Sequence, residues 1–128
     1  MNKRVLVVDD EESILDLVRR ILEPEGYEVH TASKVDEAFE LCKRVEPFIL
    51  ICDMRLENHV DGATLAGMIQ RHNPYIVRIC ITGALEAFQK GYLIGSPFTD
   101  ILLKPLKIEL LLRVTRYANE KYARWKSY

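Results

Sequence analysis

Four mainly apolar runs, each ending on a polar side chain, constrain this chain more than any other feature. Val5-Leu6-Val7-Val8 runs into Asp9-Asp10, and Phe48-Ile49-Leu50-Ile51-Cys52 into Asp53. Ile76-Val77-Arg78-Ile79-Cys80-Ile81 runs into Thr82, and Ile101-Leu102-Leu103 into Lys104. β-branched residues without polar alternation suit strands buried on both faces, the pattern of a parallel sheet. Taken alone, Asp9 and Asp10 have two readings. Adjacent like charges are costly unless solvent or a cation neutralises them, and acidic residues also serve to cap a following helix.

Helical periodicity fills the intervals between the runs. Ile14, Leu17, Val18 and Ile21 recur at helical spacing, with Glu11 and Glu12 near the positive end and Pro24 and Gly26 closing the helix. Residues 27–32 alternate more than the other runs and read as a short strand nearer an edge. Ser33 is expected to cap the next helix, with Asp36 returning the bond, and Val35, Ala38, Phe39, Leu41 and Cys42 supply its inner face. Asp61-Gly62 open a third helix running to Arg71, with Leu65, Ala66 and Ile69 inward. A weaker helical pattern covers 85–94, with Gly91 inside it. The last helix starts near Lys107 and carries the stripe Leu111, Val114, Ala118, Tyr122 and Trp125. Strand and helix alternate five times without a linker or repeat, so residues 1–128 are expected to form one α/β domain around a doubly wound five-stranded parallel sheet.

Composition excludes several classes. No apolar run reaches transmembrane length, and the N-terminal residues lack the apolar region and cleavage site of a secretory signal. The three cysteines are odd in number, have no CxxC spacing and sit in apolar segments, which fits buried reduced thiols in a cytoplasmic protein. Net charge is −1, yet residues 107–128 alone carry +4. A mildly basic helix face is usually just solvated, so neither nucleic acid nor membrane is an expected partner.

In a doubly wound sheet, ligands bind outside the carboxyl ends of the strands. That rim would gather Asp9, Asp10, Asp53, Thr82 and Lys104 although sequence separates them widely. Three carboxylates make a hard, oxygen-rich site suited to Mg²⁺, which commonly combines one or two carboxylates with phosphate oxygens and water. A hydroxyl and an ammonium beside it would hold the oxygens of a transferring phosphoryl group, and a carboxylate can be the nucleophile, forming an acyl phosphate.

The order Asp-Asp, Asp, Thr, Lys-Pro resembles the receiver domain of two-component response regulators over essentially the whole chain. The resemblance implies a flavodoxin-like (βα)5 fold with strand order 2-1-3-4-5 and Asp53 as phosphoacceptor. It implies Asp10 and Asp53 as direct Mg²⁺ ligands, Asp9 acting largely through water, and the backbone carbonyl of Arg55 as a third protein ligand. Thr82 matches the switch hydroxyl and Lys104 the ammonium that pairs with the phosphoryl group, and the Lys104-Pro105 bond is cis in that family. Asp53 would take its phosphoryl group from a sensor histidine kinase, a phosphotransfer protein or a small phosphodonor. The added charge would draw in Thr82 and Lys104 and change contacts with a downstream protein, an output domain beyond this chain, or a second copy in a phosphorylation-dependent dimer. Such a domain catalyses only its own phosphorylation and dephosphorylation. The last helix, running basic and aromatic to the final residue, suits a linker cut from a longer regulator.

The chain also departs from the family pattern. An aromatic residue usually stands three positions before the lysine; here it is Ile101, which has no polar tip and is stiff at χ1. Glu57-Asn58 replaces a common Pro-Gly, Asp61-Gly62 comes one residue late, and Pro97 stands where glycine is common. Arg55 and Ala84 occupy positions resembling the family's tuning sites for phosphoryl lifetime. Arg55 either contacts the phosphoryl group, obstructs approach to it, or is simply solvated, and His59 reads as a solvent-facing loop histidine. Tyr117, Tyr122, Trp125 and Tyr128 either pack the last helix or extend it as a contact surface, with packing favoured as far as Ala118. Two further readings compete. A pseudo-receiver or phosphate sink would bind partners with an altered switch. A haloacid-type phosphatase would need a second aspartate where Arg55 stands, and a cap region.

Overall fold

The computed structural model describes residues 2–56, 62–83 and 95–127. In chain order it contains β1 (Arg4–Val8), α1 (Glu12–Leu22), a 3₁₀ turn (Glu23–Glu25), β2 (Glu28–Ala32), α2 (Val35–Val45) and β3 (Ile49–Asp53). Then follow α3 (Gly62–His72), β4 (Val77–Thr82), β5 (Asp100–Leu103) and a C-terminal helix, here α4 (Ile108–Lys126). The helix expected over 85–94, the Glu57-Asn58 pair, His59, Asp61, Ala84 and Tyr128 lie outside the described residues.

The five strands form one parallel sheet in the order β2-β1-β3-β4-β5. Chain order reverses between β1 and β3, which makes the carboxyl ends of those strands the switch point. α1 packs beside α4, and α2 beside α3. Every residue of β3 and β4 is buried, as their mainly apolar runs predict, whereas β2 at the edge alternates. Arg19 folds over that edge: its Nη1 donates to the Val29 carbonyl at 2.9 Å and its Nη2 lies 3.2 Å from Thr31 Oγ1. Charged cover of this kind blunts the pairing capacity of an exposed strand edge.

The core runs through both layers. α1 buries Leu15, Val18, Ile21 and Leu22, a stripe centred one residue beyond the predicted one, with Ile14 and Leu17 half-buried at its flank. Full burial of each such side chain favours folding by roughly 1.5–3 kcal/mol. On α4 the packing continues past Ala118: Tyr122 is buried and Trp125 lies against the core, while Tyr117 stays exposed.

One expected cap is corrected. α2 begins after Lys34, which makes no side-chain cap bond, so Ser33 stands one position outside the cap. Asp36 and Glu37 in the first turn meet the helix dipole instead. At the other end Glu46 adopts a left-handed φ of 54°, a conformation costly without glycine. Its carbonyl accepts from Asn2 and Arg4, and its carboxylate meets His72 and Asn73, so the turn is held from the start of β1 and from the end of α3.

Candidate functional site

Strand register brings the predicted residues together. Val8 lies beside Cys52 and Asp53 beside Ile81, so Asp9 and Asp53 follow one another on adjacent strands. Thr82 pairs with Leu103, immediately before Lys104. Backbone bonds tie these ends across the sheet. Met54 N–H donates to the Ile81 carbonyl at 3.1 Å, and Lys104 N–H to the Thr82 carbonyl at 2.8 Å.

Asp9 is fully buried and Asp10 exposed. Oδ1 of Asp9 accepts the Glu11 N–H at 2.9 Å, while Oδ2 receives no hydrogen bond and faces the Lys104 ammonium at 3.2 Å as a charge. Burial pushes the Asp9 carboxyl up to about 6, and the nearby Asp53 charge adds to this against the Glu11 N–H and Lys104. Asp53 is largely buried. Its Oδ1 accepts the Arg55 N–H at 3.2 Å, and its Oδ2 accepts from Lys104 Nζ at 3.0 Å. Burial alone would lower the Lys104 pKa. The hydrogen bond to Asp53 and the charges of Asp9 and Asp53 outweigh it, so the ammonium is held above its ordinary value. Thr82 is buried at the end of β4. The Lys104–Pro105 peptide is cis, as the resemblance implies.

Asp9, Asp10 and Asp53 each offer an oxygen within 4.8 Å of the others. The fit of this set to a divalent cation rests on Asp9 Oδ2, a buried carboxylate oxygen without a hydrogen bond beside a second carboxylate. A cation would relieve both the desolvation and the repulsion. Arg55 is fixed by its N–H on Asp53, and its side chain is exposed.

Two contributors escaped the sequence reading. Gly62 presses on β3: a Cβ there would overlap the Asp53 carbonyl oxygen and lie 3.1 Å from Cys52 Sγ, and its N–H donates to the Met54 carbonyl at 2.7 Å. The Asp-Gly pair signals a helix start, but this contact is tertiary. Glu11, read only as a favourable first-turn charge, places its Oε2 3.9 Å from Lys104 Nζ.

The sequence model of the family described as response regulator receiver domain matches residues 5–116. The chain is 33% identical over 105 residues to the alkaline phosphatase synthesis transcriptional regulatory protein PhoP of Bacillus subtilis, covering 82% of this chain and 43% of that protein. It is 32% identical to the nitrogen assimilation regulatory protein NtrX of Azorhizobium caulinodans, covering 91% of this chain and 26% of that protein. Among solved structures, NtrX from Brucella abortus superposes with a TM-score of 0.89 at 30% identity, covering 99% of this chain and 29% of that one. A CheY-like receiver domain from Methanospirillum hungatei gives 0.83 at 26% identity, covering 97% and 99%. This chain thus spans less than half the length of the two curated relatives named here. Its sequence, its sheet order and the gathering of Asp9, Asp10, Asp53, Thr82 and Lys104 at one rim agree: the chain belongs to the response regulator receiver domain family.

Proposed function

We propose that Asp53 is a phosphoacceptor and that its modification switches the protein contacts of this domain. The observation that carries the reading is the seating of Asp53 Oδ2 3.0 Å from Lys104 Nζ, with Asp9 and Asp10 within ligand reach. An oxygen of the Asp53 carboxylate attacks the phosphorus of a donor, an oxygen–phosphorus bond forms, and the donor's bond to its leaving group breaks. From a phosphohistidine of a sensor kinase or phosphotransfer protein, the imidazole departs with the electron pair and takes up a proton. From an acyl phosphate, the carboxylate departs directly. Asp9, Asp10, Asp53 and the Arg55 carbonyl would hold Mg²⁺, which when bound neutralises phosphoryl oxygens and the carboxylate cluster.

The residues of the chain do the rest. Lys104 exchanges its bond to Asp53 for one to the new phosphoryl group, and the Thr82 hydroxyl takes another of its oxygens. Because Lys104 N–H is bonded to the Thr82 carbonyl, the ends of β4 and β5 respond as one. The altered rim then changes affinity for a downstream protein, an output domain or a second copy. Replacing Asp53 by Asn should abolish the phosphoryl mass adduct formed with acetyl phosphate and Mg²⁺. An undiminished adduct would sink the assignment.

A second reading draws on Ile101, which is buried on β5 beside Cys80 and presents no polar tip to the surface. In that reading the domain accepts phosphate, or merely binds its partner, without a change of output. Size and partner binding compared with and without a stable phosphoryl mimic plus Mg²⁺ separate the two: a shift supports the switch, and no shift supports the sink.

A further inference from the structure

We propose that Glu11 is a specificity-determining residue that selects phosphodonors by charge, placing a fourth carboxylate at the mouth of the site. The inference rests on the reading of Asp53 as acceptor. Glu11 occupies the N-cap of α1, where a side chain commonly turns back onto helix N–H groups. Its side chain makes no such bond. Its backbone is pinned on both sides: the N–H is held by Asp9 Oδ1, and the carbonyl accepts from Ile14 and Leu15 at 3.0 and 3.4 Å. The carboxylate is thereby carried to the rim, 59% exposed, with Oε2 3.9 Å from Lys104 Nζ.

Lys104 is already engaged by Asp53 at 3.0 Å and Asp9 at 3.2 Å. A divalent cation and Lys104 together supply three positive charges, which Asp9, Asp10 and Asp53 balance. Glu11 is a fourth carboxylate, and among the described residues its one ion pair is with the already engaged Lys104. Arg55 is exposed and forms no ion pair among the described residues. An approaching donor therefore meets repulsion in proportion to its own charge. At a separation of roughly 7 Å in a water-like medium of low ionic strength, one such charge slows a dianion about fivefold and a monoanion about twofold. At physiological salt, screening cuts the dianion effect to about twofold.

The test is Glu11→Gln in the full chain, with adduct formation followed by intact mass. Dianionic acetyl phosphate and monoanionic phosphoramidate are the donors, at low and physiological salt, and Mg²⁺ affinity is measured separately by calorimetry. The expected result is a gain of about fivefold for acetyl phosphate and about twofold for phosphoramidate at low salt, shrinking as salt rises. Mg²⁺ affinity should fall several-fold, since the same charge attracts the cation. Opposite signs for donor rate and cation affinity are not the mark of a merely structural residue. Glu11→Asp, which keeps the charge, should retain the wild-type donor preference. Equal changes for both donors, insensitivity to salt, or unchanged Mg²⁺ affinity would overturn the proposal. If the wild-type chain forms no adduct with either donor, the acceptor reading itself fails, and cation affinity alone judges Glu11.

Discussion

Asp9→Asn probes the electrostatics of the rim most sharply. Asp9 is fully buried, its Oδ2 has no hydrogen bond, and its carboxyl is pushed up to about 6 from an ordinary 3.8. The folded state therefore holds a proton that the unfolded chain has released between about pH 4 and pH 6. Stability falls as pH rises through that window, because the folded state binds more protons there. At about 1.4 kcal/mol per pH unit, the ionised group costs the cation-free protein roughly 3 kcal/mol by pH 7.5. Asparagine imitates the neutral form and keeps the oxygen that accepts the Glu11 N–H at 2.9 Å. Its amide, however, turns a donor toward Lys104, so the net gain should be about 1–2 kcal/mol, near the lower half of that figure. Urea unfolding at pH 7.5 without divalent cation should show the Asp9→Asn midpoint raised by about 0.5–1 M. Added Mg²⁺ should stabilise the wild-type protein, by preferential binding to the folded state, far more than it stabilises Asp9→Asn. An Asp9→Asn protein less stable than wild type without cation, or one that gains as much from Mg²⁺, would refute the argument that a strained carboxylate is kept for a cation.

Three further perturbations follow from the same geometry. Lys104→Met removes the ammonium that lies 3.0 and 3.2 Å from two carboxylates; calorimetry should find divalent-cation affinity raised several-fold while adduct formation slows. Gly62→Ala drives a Cβ into the Asp53 carbonyl, so urea unfolding should show a loss of about 1–3 kcal/mol together with slower adduct formation. Arg78→Met strips the donor from the carbonyls of Pro97, Ile76 and Pro74, which Arg78 meets at 2.6, 2.6 and 3.3 Å. It should cost about 2–4 kcal/mol by denaturation, and amide exchange should quicken at Phe98 and Thr99 before the rest of the sheet.

Much of the fold was legible because consecutive apolar residues admit few arrangements. β3 and β4 are buried at every residue, and the alternation of β2 placed it near an edge. The rim was legible because each run ends on a polar group and a parallel sheet aligns those ends. What failed was whatever depends on one residue of phase or on tertiary approach. The shift from Ile14 and Leu17 to Leu15 and Leu22 needs only a small rotation of α1, and the Ser33 cap missed by a single position. The different fates of Asp9 and Asp10, one buried and one exposed, follow from the side to which each turns at the strand end. Gly62 against Asp53 and Glu11 beside Lys104 are neighbours only after folding, and no local pattern carries them. Arg78 sits in an apolar run where a buried guanidinium would be costly, and the turn carbonyls that satisfy it come from segments on either side.

The central claim is that Asp53 is the nucleophile of this rim. Incubation with acetyl phosphate and Mg²⁺, followed by borohydride reduction and peptide mass mapping, tests it most directly, since an aspartyl phosphate is reduced to homoserine where it formed. Homoserine at position 53, dependent on Mg²⁺, is the predicted result. Homoserine at Asp9 or Asp10 with Asp53 unchanged would contradict the account.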